Sequence, residues 1–323
     1  MVAVNYLEYV ARRVGFAVLS VYVVVTLTFG LVRFTPNTAL GGRLSAARYY
    51  DRASPAEIRE IQETFLEVRG LDEPLLDRYV GWLVDVATLD WGYSFAYNEP
   101  VWSVLERAVP TTLEYVLPGV LLAVALGVSF GLASALVGGS RLDWGLRIAS
   151  YVLLGVPSFV AVFLYAGVTP ASYHSPAFQQ PYVATHVDPQ VVAAGAVAIG
   201  LFAGQLRFAR VASLEQAGEA FVKLLRAKGA GRVLVARHVL RNAALPIVSL
   251  SLTELLGVLM LNIYVVEEVL AIDGLAGASL AAVRARDFPL VVGTTMVLVF
   301  VGVGGSLLQD LAYGYLDPEV RGE

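Results

Sequence analysis

The stretch VLPGVLLAVALGVSFGLASALV, from Val116 to Val137, runs for 22 residues without a charge. At a helical rise of about 1.5 Å per residue it is about 33 Å long, enough to cross the roughly 30 Å hydrocarbon core of a bilayer. Five further runs approach that length: Val14–Val32, Ile148–Val168, Val191–Leu206, Ala243–Val266 and Phe288–Gln309. The fourth in chain order, from Val191, is short and rich in Ala and Gly, with Pro189 and Gln190 available to extend it. The fifth carries one charge, Glu254. The composition agrees, with 57% of 323 residues hydrophobic and 15% charged, against about 45–50% and about 25% in soluble domains. The sequence predicts an all-α integral membrane protein with six transmembrane helices.

Several chemistries are excluded at once. There is no cysteine, hence no disulfide scaffold and no thiolate-bound zinc or iron–sulfur centre. The only histidines are His174, His186 and His238, a poor start for a histidine metal site. The formal net charge is −4, and no basic tail points to nucleic acid. Lys223 and Lys228 are the only lysines; Arg-for-Lys usage under an acidic balance suits a high-salt organism or a GC-rich genome alike.

Arg12 and Arg13 ahead of an apolar run also fit a cleaved signal peptide. The run is long enough to span, however, and Arg33 to Leu40 offers a poor cleavage site, so an uncleaved first helix is expected. Orientation follows from basic residues beside the spans. The 4–5 connection holds Arg207, Arg210, Lys223, Arg226, Lys228, Arg232, Arg237 and Arg241 against Glu215 and Glu219, whereas the 3–4 connection, Thr169 to Gln190, has no Lys or Arg. The first is expected in the cytoplasm and the second outside. Arg12, Arg13, Arg141 and Arg147 then fall on the cytoplasmic side, with both termini, in a multi-pass plasma-membrane protein.

Four segments are expected: 1–34 as an N-terminal transmembrane helix, 35–111 as a helical extracytoplasmic loop domain, 112–316 as a five-helix core, and 317–323 as a cytoplasmic tail. In the loop domain Asp51, Glu57, Glu60, Glu63, Glu67, Asp72 and Glu73 outnumber the arginines. Ser54-Pro55-Ala56-Glu57 reads as an N-cap, a first-turn proline and an acid at the positive end of the helix dipole, with Ile58, Ile61, Phe65 and Val68 at helical spacing and Gly70 as the stop. Leu75 to Val86 forms a second amphipathic piece with Tyr79, Trp82, Leu83 and Val86 on one face. These helices pack on each other or on the membrane interface, or they bind a partner. In the second span Gly127 and Gly131 permit close helix packing, at a seam between subunits or inside one.

The connecting loop 207–245 carries the functional signal. The segment from Val211 reads as a helix that Gly229 stops, presenting Phe221, Leu224, Leu225 and Lys228 at i, i+3, i+4 and i+7, and a second short helix from about Val233 to Arg241 turns back toward Pro246. Each large apolar side chain there would contribute roughly 1.5–3 kcal/mol if buried, so the face needs a neighbouring helix, a partner, or anionic lipid to rest on.

Arg226-Ala227-Lys228-Gly229, followed by Arg237-His238-Val239-Leu240-Arg241-Asn242-Ala243-Ala244-Leu245-Pro246, resembles the ATPase-coupling EAA loop of ABC importer permeases of the dipeptide and oligopeptide branch. Similar matches run along most of the chain: Leu71-Asp72-Glu73-Pro74-Leu75, Asp90-Trp91-Gly92-Tyr93-Ser94, Val109-Pro110-Thr111-Thr112-Leu113-Glu114, Asp287-Phe288-Pro289 and Leu316-Asp317-Pro318. The chain departs from the family where Leu224 and Leu225 replace two small residues, where the interval from Gly229 to Pro246 is one residue short, at Pro36-Asn37-Thr38-Ala39, and at Ala271-Ile272-Asp273-Gly274-Leu275-Ala276.

The resemblance implies a permease that pairs with a second, paralogous permease, binds two ABC ATPase subunits, and receives peptides or similar small solutes from an extracytoplasmic solute-binding protein. It implies ATPase-coupling roles for Phe221, Leu224, Leu225, Arg226, Lys228 and Gly229. Arg226 and Lys228 would pair with acids on the ATPase, or serve only to set topology. No phosphate-binding Gly-rich motif is present, so ATP hydrolysis is expected in other chains and no cofactor in this one. Glu254, in mid-span, costs about 2.5–3.5 kcal/mol to insert. It lines the translocation path with Asn262, or it is a protonated structural group bonded to Thr253 or Asn262. An ion-coupled secondary transporter would be expected to show more intramembrane acids, an intramembrane enzyme a nucleophile or metal motif; a membrane scaffold would not need the cytoplasmic hairpin.

Overall fold

A computed structural model describes residues 6–34, 38–50, 52–67, 74–155, 157, 159–166 and 187–316. Side chains from 249 to 261 lie outside the described residues. The helices are α1 Tyr6–Phe34, α2 Thr38–Tyr49, α3 Pro55–Glu67, α4 Leu75–Thr88, α5 Val101–Leu136, α6 Arg141–Gly155, α7 Phe159–Ala166, α8 Pro189–Gly218, α9 Ala220–Ala227, α10 Arg232–Leu270, α11 Leu275–Ala285 and α12 Phe288–Leu316. A two-residue hairpin, β1 Tyr93–Ser94 paired antiparallel with β2 Glu99–Pro100, interrupts the all-helical expectation.

Among the described residues, four helices are long and apolar enough to cross a membrane: α1 over Tyr6–Leu31, α5, α8, and α12 over Phe288–Ala312. The third apolar run is split into α6 and α7, which are bent by 75° and together count as at most one span. The fifth run lies inside α10. The chain divides into two compact units, Val18–Gly92 and the remainder.

In the first unit α4 packs on the second half of α1. Tyr79 and Thr26 share a hydroxyl–hydroxyl hydrogen bond of 2.7 Å. The Trp82 indole N–H donates to the Val25 carbonyl at 3.2 Å, and the Phe29 ring meets Tyr79 edge-on at 5.3 Å. Helix α3 opens with the expected cap, made reciprocal: the Ser54 N–H donates to Glu57 Oε2 at 2.7 Å and the Glu57 N–H to Ser54 Oγ at 3.4 Å.

The second unit is organised on the seam between α5 and α8. Small residues recur every four positions along α5 (Gly119, Ala123, Gly127, Gly131, Ala135), a spacing that keeps them on one face. A Cβ on Gly119 would strike Val197, one on Gly127 would come within 2.5 Å of Gln205 Cβ, and one on Gly131 within 2.7 Å of Ala209 Cβ. The Gly127–Gly131 pair therefore packs inside one subunit. The constant offset between these partners means that α5 and α8 run parallel.

Helix α10 corrects the expected break before the fifth span. It runs unbroken through Pro246, because Val235, Val239, Ala243 and Ile247, all buried, form one apolar stripe at intervals of four residues against α8 and α9. Likewise α5 begins at Val101, well before its uncharged run, and holds Pro110 and Pro118 inside the helix.

Candidate functional site

The loop between α8 and α10 is anchored by a residue that the sequence reading passed over. Helix α8 continues beyond its apolar run to Gly218, and Glu219 then adopts an extended conformation (φ −67°, ψ 156°) that ends α8 and starts α9. The expected helix from Val211 is thus two helices, and the break resets which face points inward. Val222, fully buried, packs with Val235 and Val239 of α10 and with Leu132 and Leu136 of α5, flanked by half-buried Phe221 and Leu225. Leu224 is 56% exposed. Arg226, Lys228 and Gly229 are exposed beside it.

Gly229 ends α9 as expected, at φ +79°. Its N–H donates to the Arg226 carbonyl and that of Ala230 to the Leu225 carbonyl, both at 3.0 Å. This is a Schellman closure, completed by Ala230 and Leu225 joining the same apolar cluster. The short helix therefore has a defined stop as well as a buried anchor, while its outward face stays open.

Beside this cluster three helices are tied by charge. Arg210 on α8 reaches Asp143 on α6 through Nε at 2.8 Å and Nη2 at 3.1 Å. Ser134 on α5 donates to Asp143 Oδ1 at 2.5 Å, and the Gly139 N–H to Oδ2 at 3.0 Å. Asp143 is 2% exposed. At the same end of the unit Tyr9 donates to the Asp310 carbonyl at 2.9 Å and Arg13 to the Asp310 carboxylate at 3.2 Å. The α1 N-terminus and the α12 C-terminus thus share an end with α9 and with the basic loop 207–245.

The opposite end gathers motifs that lie far apart in sequence. Glu267, near the end of α10 and 1% exposed, accepts hydrogen bonds from Thr112 at 2.6 Å and Tyr115 at 3.0 Å on α5. The Gly277 N–H in the first turn of α11 donates to its other oxygen at 2.8 Å, and the Leu275 N–H donates to Thr112 Oγ1 at 2.8 Å. A Cβ at Gly274 would collide with both Glu267 and Thr112. A second knot joins Ser94, which donates to Asp287 Oδ2 at 2.6 Å, and the Ala96 N–H, at 2.9 Å to the same oxygen. Four of the quoted motif segments meet in these two knots. Sequence reasoning missed Glu267, which stands just past the last residue of the fifth apolar run and reads there as an ordinary boundary charge.

Of the two path candidates, the Glu254 side chain lies outside the described residues, and Asn262 is half-buried on α10.

A family model described as "Binding-protein-dependent transport system inner membrane component" matches residues 127–322. Among curated proteins, the dipeptide transport system permease protein DppB of Bacillus subtilis is 26% identical over 97% of this chain and 98% of its own length. The protein of the same name from Lactococcus lactis is 26% identical over 97% and 99%. A putative peptide transport system permease protein of Brucella abortus is 28% identical over 97% and 98%.

Proposed function

The chain belongs to the family of binding-protein-dependent transport system inner membrane components, and from that premise we propose that it is the permease subunit of an ATP-driven importer of peptides or similar small solutes. The family is one of transport components, not of enzymes. In this reading the chain crosses the membrane six times, with α6–α7 and α10 supplying the crossings beyond the four apolar helices, residues 35–111 outside, and both termini in the cytoplasm. It pairs with a second permease, meets two ABC ATPase subunits at α9, and accepts solute from a binding protein at the Glu267 end. Glu254 and Asn262 line the path.

The observation that carries the proposal is the form of α9. It is a helix of eight residues, fixed underneath by Val222 and closed by Gly229, that holds Leu224, Arg226 and Lys228 outward at the basic end of the unit. A partner that moves α9 also moves α8 and α10, to which it is joined, and the two helices then tilt about the α5 seam to change the side on which the path opens. The arginines and lysines of this end follow the positive-inside bias.

The test is ATP-driven uptake by the assembled transporter in vesicles. Phe221→Asp and Gly229→Pro are expected to leave the chain in the membrane and to abolish uptake. Normal ATP-driven uptake in either variant defeats the assignment. For the path, Glu254→Gln is expected to change rate or solute preference, and unchanged values for both remove it from the path.

A further inference from the structure

We propose that α4 lies in the plane of the membrane–water interface, with Leu76, Val80 and Val84 seated among lipid acyl chains. Helix α4 has three faces. Tyr79, Trp82 and Val86 pack inward, the first two directly on α1. Asp77, Gly81, Asp85 and Thr88 form an exposed polar side. Between them Leu76, Val80 and Val84 recur every four residues as an apolar line that is 73%, 52% and 53% exposed.

Depth identifies what covers that line. The α4 contacts fall on Val25, Thr26 and Phe29 of α1. Thr26 and Phe29 precede Val32, the end of the apolar run, by six and three residues, or about 9 and 4.5 Å of helix. An amphipathic helix resting in the interface buries its apolar side roughly 5–10 Å into the boundary, so the line sits where acyl chains begin. It also continues a surface of the same kind, since Val23, Leu27 and Leu31 of α1 are exposed. The chemistry of the line fits lipid better than a protein partner. Helix–helix seams within membranes favour small residues and protein hot spots favour Trp, Tyr and Arg, whereas this line is Leu and Val throughout.

The chain has no cysteine, so single cysteines can carry an environment-sensitive dye without background. Val80→Cys, Val84→Cys, Gly81→Cys and Asp85→Cys are made in the full chain, purified with the subunits it assembles with, and reconstituted into phosphatidylethanolamine–phosphatidylglycerol vesicles. Nitroxide-labelled acyl chains are expected to quench dyes at 80 and 84 about threefold more than dyes at 81 and 85, and aqueous iodide to show the reverse order. The proposal is overturned if iodide reaches 80 and 84 as readily as 81 and 85. It is equally overturned if neither quencher reaches 80 and 84, which would place a protein surface there, or if acyl nitroxide quenches all four alike. Leu76→Cys supplies a third position on the line should either valine variant fail to assemble. None of these readouts depends on transport, so the result stands apart from the importer reading.

Discussion

Arg210 grips Asp143 through two guanidinium nitrogens, at 2.8 and 3.1 Å, from a helix 67 residues away in the chain. The same carboxylate receives the Ser134 hydroxyl and the Gly139 N–H. A buried carboxylate pays a large desolvation cost unless charge and hydrogen bonds replace its water, and here four donors do so. The consequence is mechanical. Ser134 lies within the α5 turn that also carries Leu132 and Leu136 under α9, so α5, α6 and α8 are joined beside the point where a force on α9 would enter.

Removing one partner of such a pair leaves the other buried and uncompensated, at a cost of about 3–5 kcal/mol. Asp143→Ala is therefore expected to lower the thermal midpoint of the purified chain strongly. Arg210→Lys keeps the charge but loses the two-pronged geometry, and is expected to fall between it and the parent. A midpoint for Asp143→Ala equal to the parent's would show that the tie contributes nothing.

The α5–α8 seam makes a graded prediction about glycine. Gly127→Ala places a methyl 2.5 Å from Gln205 Cβ, and Gly131→Ala places one 2.6 Å from the Leu206 carbonyl oxygen. Both should destabilise by about 1–3 kcal/mol through overpacking. Gly195 on α8 and Gly304 on α12 have no neighbouring atom among the described residues within 4 Å of the corresponding position, and alanine there should be neutral or stabilising by up to about 1 kcal/mol. Thermal melting of the four variants in one detergent checks the order.

The cap of α3 gives a pH dependence. Hydrogen bonds from the Ser54 backbone N–H, and then its hydroxyl, hold the Glu57 carboxyl below its usual range. A carboxyl depressed in the folded state stabilises above its unfolded pKa, about 4.3, and loses that contribution as pH falls through the lower folded value. Amide exchange at Ser54 and Ile58, measured relative to its intrinsic rate, should therefore become less protected on acidification below about pH 4. In Glu57→Gln, which cannot titrate, this change should be absent.

Four of the six expected spans were legible because a bilayer forces every backbone polar group into a helix, which leaves run length as a direct signal. What sequence could not show depends on distant partners. Pro246 has the local look of a helix start, and only the buried line from Val235 to Ile247 on α8 and α9 keeps α10 continuous. Glu267 sits just past a span end, and its donors Thr112 and Tyr115 lie more than 150 residues upstream. The motif segments could be matched one by one, yet nothing in their order says that Ser94 meets Asp287 or that Thr112 meets Gly274. At α9 the obstacle was helical phase. Read as one helix from Val211, the segment puts Phe221, Leu224, Leu225 and Lys228 on one common face. The break at Glu219 gives the inner position to Val222 and turns Leu224 out.

That reassignment separates stability from coupling at adjacent positions. Val222 is fully buried in its cluster, and Val222→Ala removes two methyl groups at about 0.8 kcal/mol each, plus a cavity. It should lower the thermal midpoint and reduce uptake and ATP hydrolysis together, as the whole loop loosens. Leu224→Asp changes an exposed side chain and should leave the midpoint within the roughly 0.5 kcal/mol typical of surface substitutions. If α9 is the face that an ATPase grips, the charge placed there should cut uptake at least about tenfold, the equivalent of 1.4 kcal/mol at the interface, in a chain as stable as the parent. Measuring melting and uptake on the same preparations distinguishes the two cases. A Leu224→Asp chain that transports normally would mean that the outward side of α9 touches no motor, whatever Val222 does beneath it.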